Sequence, residues 1–358
     1  MYKSLQAGRA IAAILVVLFH LSAAISLEKY FGIKEFSIPF SFGYSGVDFF
    51  FVLSGFIIFH AHKSDFGQPG KLVPYLYKRV TRVYPVYLIV FIGVYVLAII
   101  SPQLRNSVPH DVLLVVKSML LLPQDKSLVG GTGAPVLIVA WTLQFEMLFY
   151  LVFSLAIVNK RLGVAAILLF ILLSLYRLVG QEYEFPLNFI ASEYVWLFLM
   201  GMLVAKFTTL TRGGLGLAKV LAVFGGAIYF IVSLGVIMEL DEFSEFNRTI
   251  VYGVGCSFIV AALVVFENNG KTFLGHKTFQ LLGASSYSLY LIHFPLISIL
   301  LKLAMIAGLA SLGFFGAVLS FVLILMVCIF TSIAFHLVVE RPVSEKLKSV
   351  MVYRVEKI

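Results

Sequence analysis

Ten stretches of this chain are long and apolar enough to cross a bilayer, and their repetition constrains the fold more than any other feature. A spanning helix needs about 20 mostly apolar residues, because the hydrocarbon core is about 30 Å thick. On that criterion spans are expected at 8–27, 43–62, 83–101, 141–158, 162–179, 193–210, 216–237, 248–266, 286–306 and 311–337. Only 13% of the 358 residues are charged, against roughly 25% in soluble domains. The polar shell of a soluble fold is therefore missing. The expected fold is all-α: a polytopic integral membrane protein with about ten transmembrane helices. "DVLLVVKSMLLLP" at 111–123 is too short to span and contains Lys117, so it reads as interfacial or re-entrant. No loop is long enough for a folded soluble domain, and 1–358 is expected to be one integral-membrane domain without a fused extracytoplasmic part. The first run lacks a small-residue cleavage site and reads as a retained helix.

The 27 Lys and Arg against 18 Asp and Glu could suggest nucleic acid, but in a membrane protein a basic excess reports cytoplasmic loops. With the N-terminus inside, 19 of the 27 cations fall on cytoplasmic segments, Lys3, Lys63, Lys71, Lys160, Arg212 and Lys357 among them. Both termini are expected in the cytoplasm, in a multi-pass protein of the cell inner membrane with no nucleic-acid partner. Cys256 and Cys328 both lie inside apolar runs without metal-like spacing, and read as small core residues. No metal site is expected.

Ionisable groups inside lipid cost about 2.5–3.5 kcal/mol each on insertion scales, which makes each a functional candidate. "RAIAAILVVLFH" holds Arg9 and His20, eleven residues apart. At 100° per residue both project from one helix face, about 16 Å apart along the axis. Arg9 is expected at the cytoplasmic mouth and His20 near mid-bilayer, where a neutral imidazole can act as a proton acceptor. The plainer alternative is a snorkelling arginine and a histidine bonded to a neighbouring helix.

"GYSGVDFFFVLSGF" places Asp48 about a turn below the outer surface, with Gly46, Ser54 and Gly55 small enough for close helix approach. "WTLQFEMLFY" places Glu146 at similar depth, with Trp141 and Tyr150 as interfacial or core aromatics. If their faces converge, a carboxylate orients His20. "YKRVTRVYPVY" carries Lys78, Arg79, Arg82 and Tyr84 at a basic helix entry. The arginines are either a positive-inside anchor or a phosphate clamp. "SYSLYLIHFP" carries Tyr287, His293 and Pro295. Proline inside a helix frees a backbone carbonyl, and His293 is expected to satisfy it.

These stretches together resemble the membrane-bound acyltransferase family 3, which O-acylates surface carbohydrates and some other acceptors. The resembling elements are Arg9 with His20, Gly46 to Phe56, Arg79 with Arg82 and Pro85, Trp141 to Tyr150, Ser286 to His293, and the closing "ERP" from Glu340 to Pro342. The resemblance implies a cytoplasmic acyl-CoA donor, commonly acetyl-CoA, and a carbohydrate or glycoconjugate acceptor. Arg9 and His20 match residues that the family treats as essential, with His20 either the general base or itself the acyl acceptor, and Glu146 and Asp48 join them as catalytic candidates. Arg79, Arg82, Lys78 and Tyr84 are donor-binding candidates. Trp141, Tyr150, Ser54, Tyr287 and His293 are candidates for substrate binding or support. The rival physical reading is a proton-coupled secondary transporter, which also uses buried His, Asp and Glu. The chain lacks the matching, Gly/Pro-interrupted halves of such transporters.

Overall fold

The computed structural model describes residues 2–102, 104–178, 183–211, 213–240 and 243–355. Val179, Arg212 and Lys357, used above for a span end and for the charge count, lie outside them. In chain order the helices are α1 Lys3–Ile25, α2 Gly46–His62, α3 Leu72–Ile100, α4 Val112–Met119, the one-turn α5 Lys126–Val129, α6 Trp141–Val158 and α7 Lys160–Leu178. Then come the one-turn α8 Leu187–Ile190, α9 Tyr194–Leu210, α10 Leu215–Ile237, α11 Glu245–Asn268, α12 Lys277–Ala284, α13 Ser286–Ile306, α14 Gly313–Phe335 and α15 Arg341–Val355. A 3-10 stretch, Lys34–Ser45, leads into α2, and a π turn, His336–Glu340, joins α14 to α15. Among the described residues there is no strand. Among the same residues nine segments are long and apolar enough to cross a membrane. The remaining expected span is α7, which turns back on α6 so closely that a Cβ at Gly163 would collide with Ala156.

The first span begins five residues earlier than the apolar pattern indicates. Its opening N–H groups find a cap that no local sequence signal announces: Glu267, at the far end of α11, accepts from Lys3 N at 2.8 Å and Ser4 N at 2.7 Å. A carboxylate there satisfies orphan donors and complements the helix dipole. Because α1 is longer at that end, His20 lies in its outer third, not at its middle. Both chain ends share one basic face with the inner turns. Lys63 Nζ donates to Thr209, Asn269 Nδ2 to Gly213 O, and Tyr77 Oη to Leu347 O.

The segment 111–123, expected to be interfacial or re-entrant, packs back along α3. Three tyrosines of α3 donate to carbonyls of this segment and of the residues just before it, in antiparallel order: Tyr95 to Pro109 O, Tyr87 to Ser118 O and Tyr84 to Leu120 O. Eleven residues of α3 separate the first from the last, so the segment descends about 16 Å. Beyond α4 the backbone leaves the helix, and carbonyls removed from water there need protein donors. Gln144 Nε2 accordingly donates to Leu122 O and Gly133 O.

Glycines set the helix spacing around the site. A Cβ at Gly46 would strike Ala12 O of α1, one at Gly55 would strike Phe198 O of α9, and one at Gly201 would strike Val52 O of α2. Close approach of this kind raises dispersion contact where lipid offers no hydrophobic drive. Cys256 and Cys328 are fully buried and unpaired, as core residues are. Gly55→Val and Gly201→Val should each cost at least about 1–3 kcal/mol by overpacking, seen as a lower melting temperature in detergent. Gly226→Ala, where nothing lies within 4 Å of the added carbon, should be neutral or slightly stabilising.

Candidate active site

Two cavities lie against the same wall. The larger, about 570 Å³, opens among the outer helix ends and is lined by His20, Asp48, Trp141, Gln144, Glu193 and Tyr194 among others. The smaller, about 90 Å³, is lined by Arg9, Arg82, Glu146, Ser54, Ser286 and Tyr287. Val47, Thr142 and Tyr290 separate them: Val47 and Tyr290 border both, and Tyr290 Oη is held by Thr142 Oγ1 at 2.8 Å and Val139 O at 3.0 Å. Arg9 and His20 share the α1 face turned toward this wall, as their spacing requires.

In the outer cavity His20 Nδ1 lies 3.0 Å from Val16 O and 3.2 Å from His293 Nε2. A carbonyl oxygen only accepts, so Nδ1 carries the proton and Nε2 keeps its lone pair. Phe19 and Phe294 meet the ring edge-on, at 5.1 and 5.4 Å between centroids. The sequence suggested a carboxylate beside His20; the structure brings His293 instead. Asp48 lines the same cavity, 2% exposed, and its Oδ2 has no hydrogen-bond partner in the protein. Glu146 borders the other cavity, where it accepts from Tyr150 Oη.

His293 does not satisfy the carbonyl that Pro295 opens. That carbonyl belongs to Leu291, four residues before the proline. His293 Nδ1 instead donates to Leu289 O at 3.0 Å.

The two arginines of the basic entry part company. Arg82 lines the inner pocket, and among the described residues its side chain finds no hydrogen-bond partner. Arg79 is buried and donates to His62 Nε2 at 2.7 Å, while His62 Nδ1 donates to Asp65 Oδ2 at 2.7 Å. Its guanidinium also packs over the rings of Tyr75 and Tyr150. Lys78 is exposed on the basic face, and Tyr84 is spent on the 111–123 segment. Tyr287 Oη donates to Val83 O, tying α13 to α3 beside the pocket.

Sequence reasoning missed several residues around these cavities. Arg177 and Glu193 form an ion pair at 2.9 Å on the outer cavity's wall. Both sit at span ends, where charges read as ordinary loop residues. Glu340, in the π turn, accepts from Ser288 Oγ at 2.5 Å and His336 Nδ1 at 2.8 Å. Ser288 and Glu340 lie within the quoted motifs, but only the fold brings them together.

A family model describing an acyltransferase domain (the acyltransferase 3 family) matches residues 2–337. Among curated proteins, the exopolysaccharide production protein ExoZ of Rhizobium meliloti (strain 1021) is 32% identical over 85% of this chain and 90% of its own length. The O-acetyltransferase OatA of Staphylococcus aureus is 23% identical over 81% of this chain, which spans only 49% of that protein. No solved structure matches.

The different surroundings of the two arginines predict different losses. Arg79→Ala strands the buried His62 ring and should cost about 1–3 kcal/mol of stability, read as a lower melting temperature. Arg82→Ala should leave the melting temperature within experimental error. Equal melting temperatures for the two variants would refute this assignment.

Proposed function

Because the chain belongs to the acyltransferase 3 family and is an acyltransferase, we propose that it moves an acyl group, acetyl in the first instance, from cytoplasmic acyl-CoA to a hydroxyl of a carbohydrate or glycoconjugate at the far side of the inner membrane. The transporter reading is set aside by family membership. One observation carries the proposal: His20, its Nδ1 proton held by Val16 O and its Nε2 left with a lone pair, lines a large cavity, with a cation-lined pocket behind the same wall.

The outer cavity suits a sugar. Trp141 and Tyr194 offer flat apolar faces, while Asp48, Gln144 and Glu193 offer acceptors and donors for hydroxyls. Two buried oxygens that the protein leaves unpaired, Asp48 Oδ2 and Gln124 Oε1, belong to residues lining this cavity. An acceptor hydroxyl satisfies such an atom, which otherwise costs about 1–3 kcal/mol. The names of the two relatives, one an exopolysaccharide production protein and the other an O-acetyltransferase, agree with this substrate class.

The inner pocket suits the reactive end of the donor, not its nucleotide. Its volume of about 90 Å³, against about 570 Å³ for the outer cavity, suits an acyl thioester better than an adenine nucleotide. Arg9 and Arg82 supply positive charge there, and Lys78 adds it on the basic face. The nucleotide phosphates then remain on the basic face, with the pantetheine arm reaching in past Arg82.

In the reaction, His20 Nε2 takes the proton of the acceptor hydroxyl as its oxygen attacks the thioester carbonyl. The tetrahedral adduct collapses with loss of the CoA thiolate, and His20 returns the proton to that sulfur. Nothing is oxidised and no further reactant is consumed. For donor and acceptor to meet, the Val47–Tyr290 wall must open beside His20.

Acetyl-CoA-dependent labelling of envelope glycan by membranes tests the proposal. His20→Ala should lower the rate by about 10²–10⁴-fold in protein that still accumulates and melts normally; undiminished labelling would overturn the base assignment. Arg82→Ala should raise KM for acetyl-CoA several-fold while kcat changes little, because contacts to the donor are made in ground and transition states alike.

A further inference from the structure

We propose that His293 is the positioning partner of His20: it fixes the tautomer and the rotation of the reacting imidazole in place of the carboxylate used by most catalytic histidines. The inference rests on His20 acting as the base.

His293 is fully buried on α13, and both of its ring nitrogens have defined contacts. Nδ1 faces Leu289 O at 3.0 Å, and Nε2 faces His20 Nδ1 at 3.2 Å. The carbonyl compels Nδ1 of His293 to hold the proton, which leaves Nε2 only a lone pair to offer. That lone pair faces a nitrogen whose second contact, Val16 O at 3.0 Å, also only accepts. Both contacts therefore ask for a proton on His20 Nδ1. One backbone carbonyl on α13 thereby determines, through two rings, that Nε2 of His20 is the free base.

A merely space-filling histidine would not need this arrangement. The carbonyl it engages already accepts the backbone N–H of residue 293 in the regular α-helix, so the ring rescues no stranded group there. The carbonyl that the proline strands, on Leu291, does not receive the ring. Among the described residues no Asp or Glu hydrogen-bonds either ring; Asp48 lines the same cavity as His20 without bonding it. Phe294, the next residue on α13, meets the His20 ring edge-on at 90°. Two consecutive residues of α13 thus hold one ring, His293 by hydrogen bond and Phe294 by its edge.

The chemical consequence follows from the neutrality of the partner. When His20 Nε2 takes the hydroxyl proton, its Nδ1–H bond to His293 strengthens, because the donor is now cationic. A neutral acceptor stabilises the imidazolium less than a carboxylate would, so the proton is given up more readily to the departing thiolate. The pair favours rapid turnover of the proton over its retention.

Two substitutions of similar polarity separate positioning from packing. His293→Asn places its amide where Nδ1 stood: it keeps a donor for Leu289 O and loses contact with His20. His293→Gln reaches as far as Nε2 and can present its carbonyl oxygen to His20 Nδ1. Initial rates are measured at saturating [14C]acetyl-CoA in membranes with endogenous acceptor, alongside KM for acetyl-CoA and melting temperature.

The expected result is a fall in kcat on the order of 10- to 100-fold for His293→Asn, the scale of loss when an orienting partner is removed. KM should be unchanged, and His293→Gln should recover most of the rate. In a His20→Ala background, His293→Asn should cause no further loss, since two residues acting as a unit are not additive. Wild-type kcat in His293→Asn, or equal losses in folded Asn and Gln variants, would overturn the proposal. Either outcome would leave the base assignment of His20 standing, because that assignment fails only if His20→Ala itself retains activity.

Discussion

A bilayer offers no hydrogen bonds, so every polar group that this chain carries into it must be answered by another part of the chain. That constraint organises the fold. The 111–123 segment and the residues just before it pack along α3 because Tyr84, Tyr87, Tyr95 and Gln144 answer their carbonyls. One end of Arg79 is answered by His62, which Asp65 holds in turn, the start of α1 by Glu267, and Glu340 by Ser288 and His336. Against this background the unanswered atoms stand out. Asp48 Oδ2 and Gln124 Oε1 belong to residues lining the outer cavity, and Ser286 Oγ to one lining the inner pocket.

Close packing turns that inventory into a site. Gly46 lets α2 press against α1, which sets Asp48 and His20 on one cavity and Val47 in the dividing wall. Tyr290 completes the wall from α13, three residues before His293. The same two helices, α1 and α13, therefore carry the imidazole, its partner, the inner arginine and part of the barrier between donor and acceptor. A small shift of α13 relative to α1 would act on all four together.

Much of the architecture was legible because apolar length is a local property. The spans, the core cysteines and the close-approach glycines could all be read from runs and residue sizes. Arg9 and His20 were legible for the related reason that charge in an apolar run is costly, and eleven-residue spacing fixes a shared face. Partnerships were not legible. Depth alone put Glu146 beside His20, whereas rotation of α6 turns it to the inner pocket and onto Tyr150. His293 was assigned to the carbonyl opened by Pro295, because the sequence shows the proline nearby but not His20 across the helix interface. Arg79 and Arg82 read as a pair at i and i+3, yet the short His62–Asp65 turn captures one and leaves the other at the pocket.

The central claim is that donor and acceptor approach His20 from opposite sides of one wall. Sealed membrane vesicles of known orientation test it directly, with [14C]acetyl-CoA supplied on one side only and label in the endogenous glycan measured over time. The account predicts labelling when the donor meets the basic face that carries both chain ends, with the labelled glycan protected inside inverted vesicles. Labelling that requires acetyl-CoA on the opposite face, or that appears on glycan accessible from the donor's own side, would contradict it.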